Sequence, residues 1–133
     1  SASPYWDWID GFEPTGSDMV FDRSMPSCYA NSHFSEFMRH AGGHLVIAGF
    51  AGEAACLSTA IDAFQRGHKF TFLCDASASH QLGESGEAEV HGVVTKIVGL
   101  FGEVKQTDDW ISLVSGNSRP LGSRVERQPS SAQ

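Results

Sequence analysis

The sequence predicts an α/β domain organised on a parallel sheet, and three observations carry that prediction. Residues 45–48 are a short, continuously apolar run of the kind buried inside parallel sheets, and residues 69–74 (KFTFLC) form a second strand-length run. Between them Leu57, Ala60, Ile61 and Phe64 recur at helical spacing before a stop at Gly67. Strands that alternate with helices are joined by right-handed crossovers, which leave the strands parallel. Only three or four strands can be counted, so a three-layer sheet of this size is expected to be incomplete.

In chain order, residues 1–17 are expected to form an extended arm. They hold Tyr5, Trp6, Trp8 and two prolines but no strand-length apolar run. Trp6 and Trp8 would either roof a pocket or pack the arm on the domain or a partner. The domain itself is expected over residues 18–115. Met19 to Phe21 suit a strand end, and residues 24–31 are turn-forming, with Pro26 excluding regular helix. Ser32 is placed as the N-cap of a helix bearing Phe34, Phe37, Met38 and Ala41 on one face, closed by Gly42 and Gly43. After the first strand, residues 49–53 turn and a helix runs from about Ala54 to Arg66. Residues 75–86 read as a polar loop. Val90, Val94, Ile97 and Phe101 mark a further helix stopped by Gly102, followed by a short edge strand at 103–105. Thr107, Asp108 and Asp109 open a last helix holding Trp110, Leu113 and Val114. Residues 116–133 are polar and irregular, a tail without its own core.

A length of 133 residues suits one domain with a real core. With 41% apolar and 19% charged residues the chain has the balance of an ordinary globule. A formal charge of −7 with nine lysines and arginines argues against nucleic acid or an anionic membrane as a partner. No apolar run approaches the roughly 18 residues of a membrane span, and the opening residues carry no signal-peptide pattern. Cys28, Cys56 and Cys74 form no CxxC pair, and an odd, unspaced set fits a reducing compartment better than a disulfide framework. A cytoplasmic location is therefore expected.

Several residues invite a chemical reading. His33, Glu36 and His40 share one helix face, but zinc needs a converging ligand set that they do not supply, so a solvated surface is expected, with no metal and no cofactor. Cys56, at the start of a helix, is a candidate nucleophile; the blander reading is a small buried apolar residue. Cys28 follows a turn proline beside the same region and would line a pocket. Cys74 ends a strand, where packing outweighs chemistry. Asp75 is expected to cap or pair locally, and His91 to bond a backbone carbonyl or sit at an interface.

The stretch IAGFAGEAACLSTAIDAFQRGHKFTFLCDASAS (47–79), followed by His91 and the FGEV segment, resembles the isochorismatase-like cysteine hydrolases, which include nicotinamidases and N-carbamoylsarcosine amidases. The resemblance covers about residues 18–114. It implies a three-layer α/β/α fold with a parallel sheet, here lacking the N-terminal strand or strands, and commonly a homo-oligomer. It also implies hydrolysis of a small-molecule amide-type bond by an Asp, a Lys and a nucleophilic Cys. That cysteine sits at a helix start, where the dipole favours a thiolate, beside an oxyanion hole of backbone amides. Carried over, the amides are those of Ala51 and Ala55, a non-proline cis bond falls at Phe50–Ala51, and Phe50 and Cys28 contact substrate.

The catalytic positions depart from the pattern. In the family the nucleophile lies six residues after the turn glycine, four before a threonine and eight before the alanine of an Asp-Ala pair. Counted from Gly49, Thr59 and Ala63, all three marks fall on Ala55. Cys56 is its neighbour, rotated by about 100° around a helix, and stays the alternative nucleophile. Arg23 stands in the lysine position; arginine keeps the charge but is a poor proton shuttle. The aspartate belongs to an N-terminal strand absent from these residues, and Asp7 and Asp10 lie in the wrong kind of segment. Three origins fit: a longer chain whose first third is missing, an engineered alanine, or a natural non-catalytic relative that binds a ligand or serves as a scaffold subunit.

Overall fold

A computed structural model describes residues 8–116 of the chain. Its elements are α1 (Ser32–His40), β1 (His44–Gly49), a π-helical turn (Gly52–Cys56) running into α2 (Leu57–Gln65), β2 (Lys69–Ser77), α3 (Glu87–Val98), β3 (Glu103–Lys105) and α4 (Thr107–Val114). The three strands form a parallel sheet in the order β1-β2-β3, with His44 opposite Lys69 and Thr71 opposite Glu103.

β2 is central and buried on both faces, which is why its sequence does not alternate. Phe70 and Phe72 face Ala60 and Ala63 of α2 and Val90, Val94 and Val98 of α3 in one core, where Phe72 and Val98 are wholly buried. Burying a side chain of that size contributes about 1.5–3 kcal/mol. Thr71 and Leu73 are buried on the other face, and α4 packs on β2. Helices on both sides give the three layers. β1 is covered on one face only: Ile47 is buried while Val46 and Ala48 are exposed.

The structure corrects the local expectations in four places. Met19 to Phe21 form no strand, because no neighbouring strand meets them; Phe21 instead packs edge-on against Phe34 of α1, with ring centroids 5.5 Å apart. The cap of α1 is Asn31, whose side chain accepts from the Phe34 amide at 3.0 Å; Ser32 is the first helical residue. β2 continues through Asp75 to Ser77, since Gly49 at a bulge in β1 pairs with Ser77. α3 ends at Val98, so the stripe closes on Val98 and Phe101 lies in the following turn. Trp8 is 57% exposed. Trp6, Asp7 and the tail beyond residue 116 lie outside the described residues.

Candidate active site

The site is built from the end of β1. Gly49 takes φ +120, a conformation that side chains with a Cβ rarely adopt, and turns the chain out of the sheet. The bond between Phe50 and Ala51 is cis. The turn is anchored to the residue that follows β2: Ala78 N donates to Gly49 O at 3.2 Å, and Gly52 N donates to Ala78 O at 2.6 Å. Ala51 O accepts from the amides of Ala54 (3.3 Å) and Cys56 (3.1 Å). Among the described residues, no backbone hydrogen bond outside the helices and strands takes up the amide of Ala51.

A cavity of about 280 Å³ opens beside this turn. Arg23, Cys28, Phe50, Ala55 and Cys56 all line it, so five of the six residues that the resemblance assigns to the site are brought together; Ala51 is not part of the lining. Ala55 is half-buried at the cavity wall. Cys56 is 3% exposed, and its Sγ points to Gly49 O at 3.6 Å. Burial pushes the Cys56 thiol up, against smaller opposing effects of the Ser77 hydroxyl and the Arg23 charge. That is the reverse of what a thiolate nucleophile needs. Cys28 is half-buried, its amide donating to Thr59 Oγ1 at 3.0 Å. Arg23 is exposed and donates from Nη1 to Met25 O at 2.9 Å.

A second polar group supports the outer side of the turn. Glu53 accepts from the His80 amide (3.1 Å) and meets His80 Nδ1 at 2.5 Å, while the Phe50 ring packs on the His80 ring at 4.4 Å. The His80 hydrogen bond holds the Glu53 carboxyl below its ordinary range. His91 Nε2 lies 2.9 Å from Cys74 O and must donate to it. Nδ1 is thereby left to accept from the Ser79 hydroxyl at 2.8 Å. Ser79 is 5% exposed, so this pair braces the loop rather than facing solvent. Sequence reading did not single out Glu53, His80 or Ser79, because their partners lie 12 to 27 residues away.

Other sequence candidates are engaged away from this cavity, and Asp75, expected to cap or pair locally, finds its partner 32 residues away. Asp75 Oδ1 accepts from Thr107 N (2.8 Å) and Oγ1 (2.7 Å), capping α4 and holding the Asp75 carboxyl low. Cys74 Sγ lies 3.6 Å from Lys105 O. Glu36 is engaged by Arg39 and by His40 at 3.0 Å, which brings its carboxyl down to about 2. Among the described residues no three His, Cys, Asp or Glu side chains are placed to hold a metal ion. Asp10 lies exposed in a turn.

A parallel sheet whose strands are joined through helices, the first ending in a glycine turn beside a cavity, places the chain among the α/β domains. Residues 1–108 match the family model described as the isochorismatase domain, and the chain belongs to that family of hydrolases. Similar solved structures include an isochorismatase from Pseudomonas putida KT2440, 26% identical with a TM-score of 0.74 over 80% of this chain and 58% of that one. An isochorismatase-like hydrolase from Alkaliphilus metalliredigens is 23% identical, with a TM-score of 0.71 over 81% of this chain and 57% of that one. A cysteine hydrolase from Pseudomonas syringae pv. phaseolicola 1448A is 22% identical, with a TM-score of 0.74 over 82% and 55%. The last two show the fold alone. The chain spans little more than half the length of these relatives. No curated protein matches it.

Proposed function

We propose that the cavity beside the Gly49 turn takes a small molecule with an amide-type C–N bond, and that this chain holds the bond without cleaving it by a cysteine route. One observation carries the reading: Ala55 lines the cavity at the helix start, while the adjacent thiol of Cys56 is buried and directed at Gly49 O. In this reading the amides of Ala51 and Ala55 receive the carbonyl oxygen, Phe50 and Cys28 contact the ligand, and Arg23 holds an anionic group. The exposed face of β1 at Val46 and Ala48 favours a homo-oligomer, and the free cysteines favour the cytoplasm.

The test is turnover of a panel of small amides by the unmodified chain and by Ala55→Cys and Cys56→Ser. No turnover is expected from the unmodified chain or from Cys56→Ser. Ala55→Cys should gain a cavity thiol that an activated ester acylates once per chain, mapped to position 55. Robust turnover by the unmodified chain that disappears in Cys56→Ser would place the nucleophile at Cys56 and sink the proposal.

The second reading is a scaffold subunit of the same fold. It is favoured by Arg23, which stands in the lysine position, is ill suited to move a proton and donates an Nη1 hydrogen bond to Met25 O. Calorimetry with small carboxylates separates the two: heat that is lost in Arg23→Gln fits a binding cavity, and no heat fits a scaffold.

A further inference from the structure

The opposite end of the sheet holds a larger cavity, about 500 Å³, far from the Gly49 turn. In a parallel sheet all strands begin at one end, and here the first residues of all three, His44, Lys69 and Glu103, line the same space. Its apolar part comes from Phe64, Phe70 and Phe101, with the Phe64 and Phe101 rings 5.3 Å apart and inclined by 60°. Its rim carries His44, His68 and Lys69, three nitrogen bases gathered in one place on a chain of net charge −7.

Two glycines keep this space open. A Cβ at Gly102 would lie 2.4–2.7 Å from the Phe70 ring, and a Cβ at Gly43 would lie 2.5 Å from the His68 ring. Either would push a lining ring out of place. His68 is further held by Tyr29, whose hydroxyl lies 2.7 Å from His68 Nδ1. The one carboxylate at the rim is already engaged: Glu103 accepts from Thr71 Oγ1 at 2.9 Å and pairs with Lys105 Nζ at 3.3 Å. Lys69 makes no ion pair among the described residues.

We propose that this cavity is a second ligand site, distinct from the turn cavity, for a small planar aromatic carboxylate. The rings of Phe64, Phe70 and Phe101 contact the ligand ring, and Lys69 with the two imidazoles receives its carboxylate. The volume lies within the range of ordinary ligand sites, roughly 300–1,000 Å³. Aromatic contact sets orientation, and a charge-assisted hydrogen bond from Lys69 discriminates the anion from a neutral analogue.

The experiment is a titration of the full chain followed by amide NMR, with benzoate as the probe, benzamide as its uncharged analogue and cyclohexanecarboxylate as its non-planar one. Benzoate should shift the signals of His44, Gly67, Lys69 and Gly102 saturably below about 10 mM. Both analogues should bind several-fold more weakly. Lys69→Gln should weaken benzoate roughly tenfold, and Phe64→Ala, at a half-exposed position, should weaken it while leaving the spectrum folded. No saturable shift, shifts confined to residues 49–59, equal binding of benzamide, or unchanged affinity in Lys69→Gln would each overturn the proposal. Should Lys69→Gln fail to fold, the three probes on the unmodified chain and Phe64→Ala still decide it.

Discussion

At the C-terminal end of β1 the cavity borders a main-chain feature: a glycine at φ +120, a cis bond and a π-helical turn, held to Ala78 just beyond β2. At the N-terminal end of the same sheet the cavity is shaped by side chains, three phenylalanines and a rim of His44, His68 and Lys69. In the first arrangement main-chain hydrogen bonds carry the turn, so its shape does not depend on the side chain at position 55. The second is built from side chains, so a single substitution changes its lining. The difference teaches where each end is vulnerable: the turn to anything that displaces backbone, the strand starts to loss of a ring or a charge.

Three variants probe that contrast, from the largest effect to the smallest. Phe72→Ala removes the wholly buried ring between the two ends and should cost about 3–5 kcal/mol. Urea unfolding should show one transition moved for both ends; separate transitions would mean the ends are not carried by one core. Gly52→Ala places a Cβ 2.5 Å from Ser79 Oγ and 3.1 Å from the backbone oxygen of Ala78, and should cost about 1–3 kcal/mol. Its damage should be local: amide signals around residues 49–53 and 78–80 should change while those of His44, Lys69 and Gly102 stay put. A change that spreads to the strand starts would break the distinction. The smallest effect is chemical. Iodoacetamide should modify Cys28 at least about tenfold faster than Cys56 at neutral pH, because Cys56 is buried and its thiol is pushed up. Peptide mapping over time reads it, and equal rates would show that the turn opens in solution.

The β1–turn–α2–β2 unit was the most legible part of the chain. An apolar run bounded by glycine, a helical stripe and a stop at Gly67 are local signals, each arising from residues within a few positions of one another. The count along an ungapped stretch that assigns the nucleophile position to Ala55 rests on the resemblance alone. What escaped was set by distant partners. Met19 to Phe21 have the residues of a strand and lack a strand beside them. Asp75 looks like loop until Ser77 is seen opposite Gly49, and its capping of α4 joins residues 32 positions apart. Ser32 and Asn31 are both able caps; the backbone at Asn31, extended at φ −85 and ψ 121, decides between them.

By itself, then, the sequence determined the class of fold, the order of its main elements, the parallel sense of its strands and the absence of cysteine from position 55. Those are properties of periodicity and spacing, which a linear chain carries in full. The tertiary structure alone decided that Arg23, Cys28, Phe50, Ala55 and Cys56 share one cavity and that the Cys56 thiol turns inward to Gly49 O. It also decided that His44, Lys69 and Glu103 meet at one end of the sheet. The reason is physical: hydrogen-bond pairing of β1, β2 and β3 aligns residues dozens of positions apart, and burial then fixes which atom of each faces the space between them.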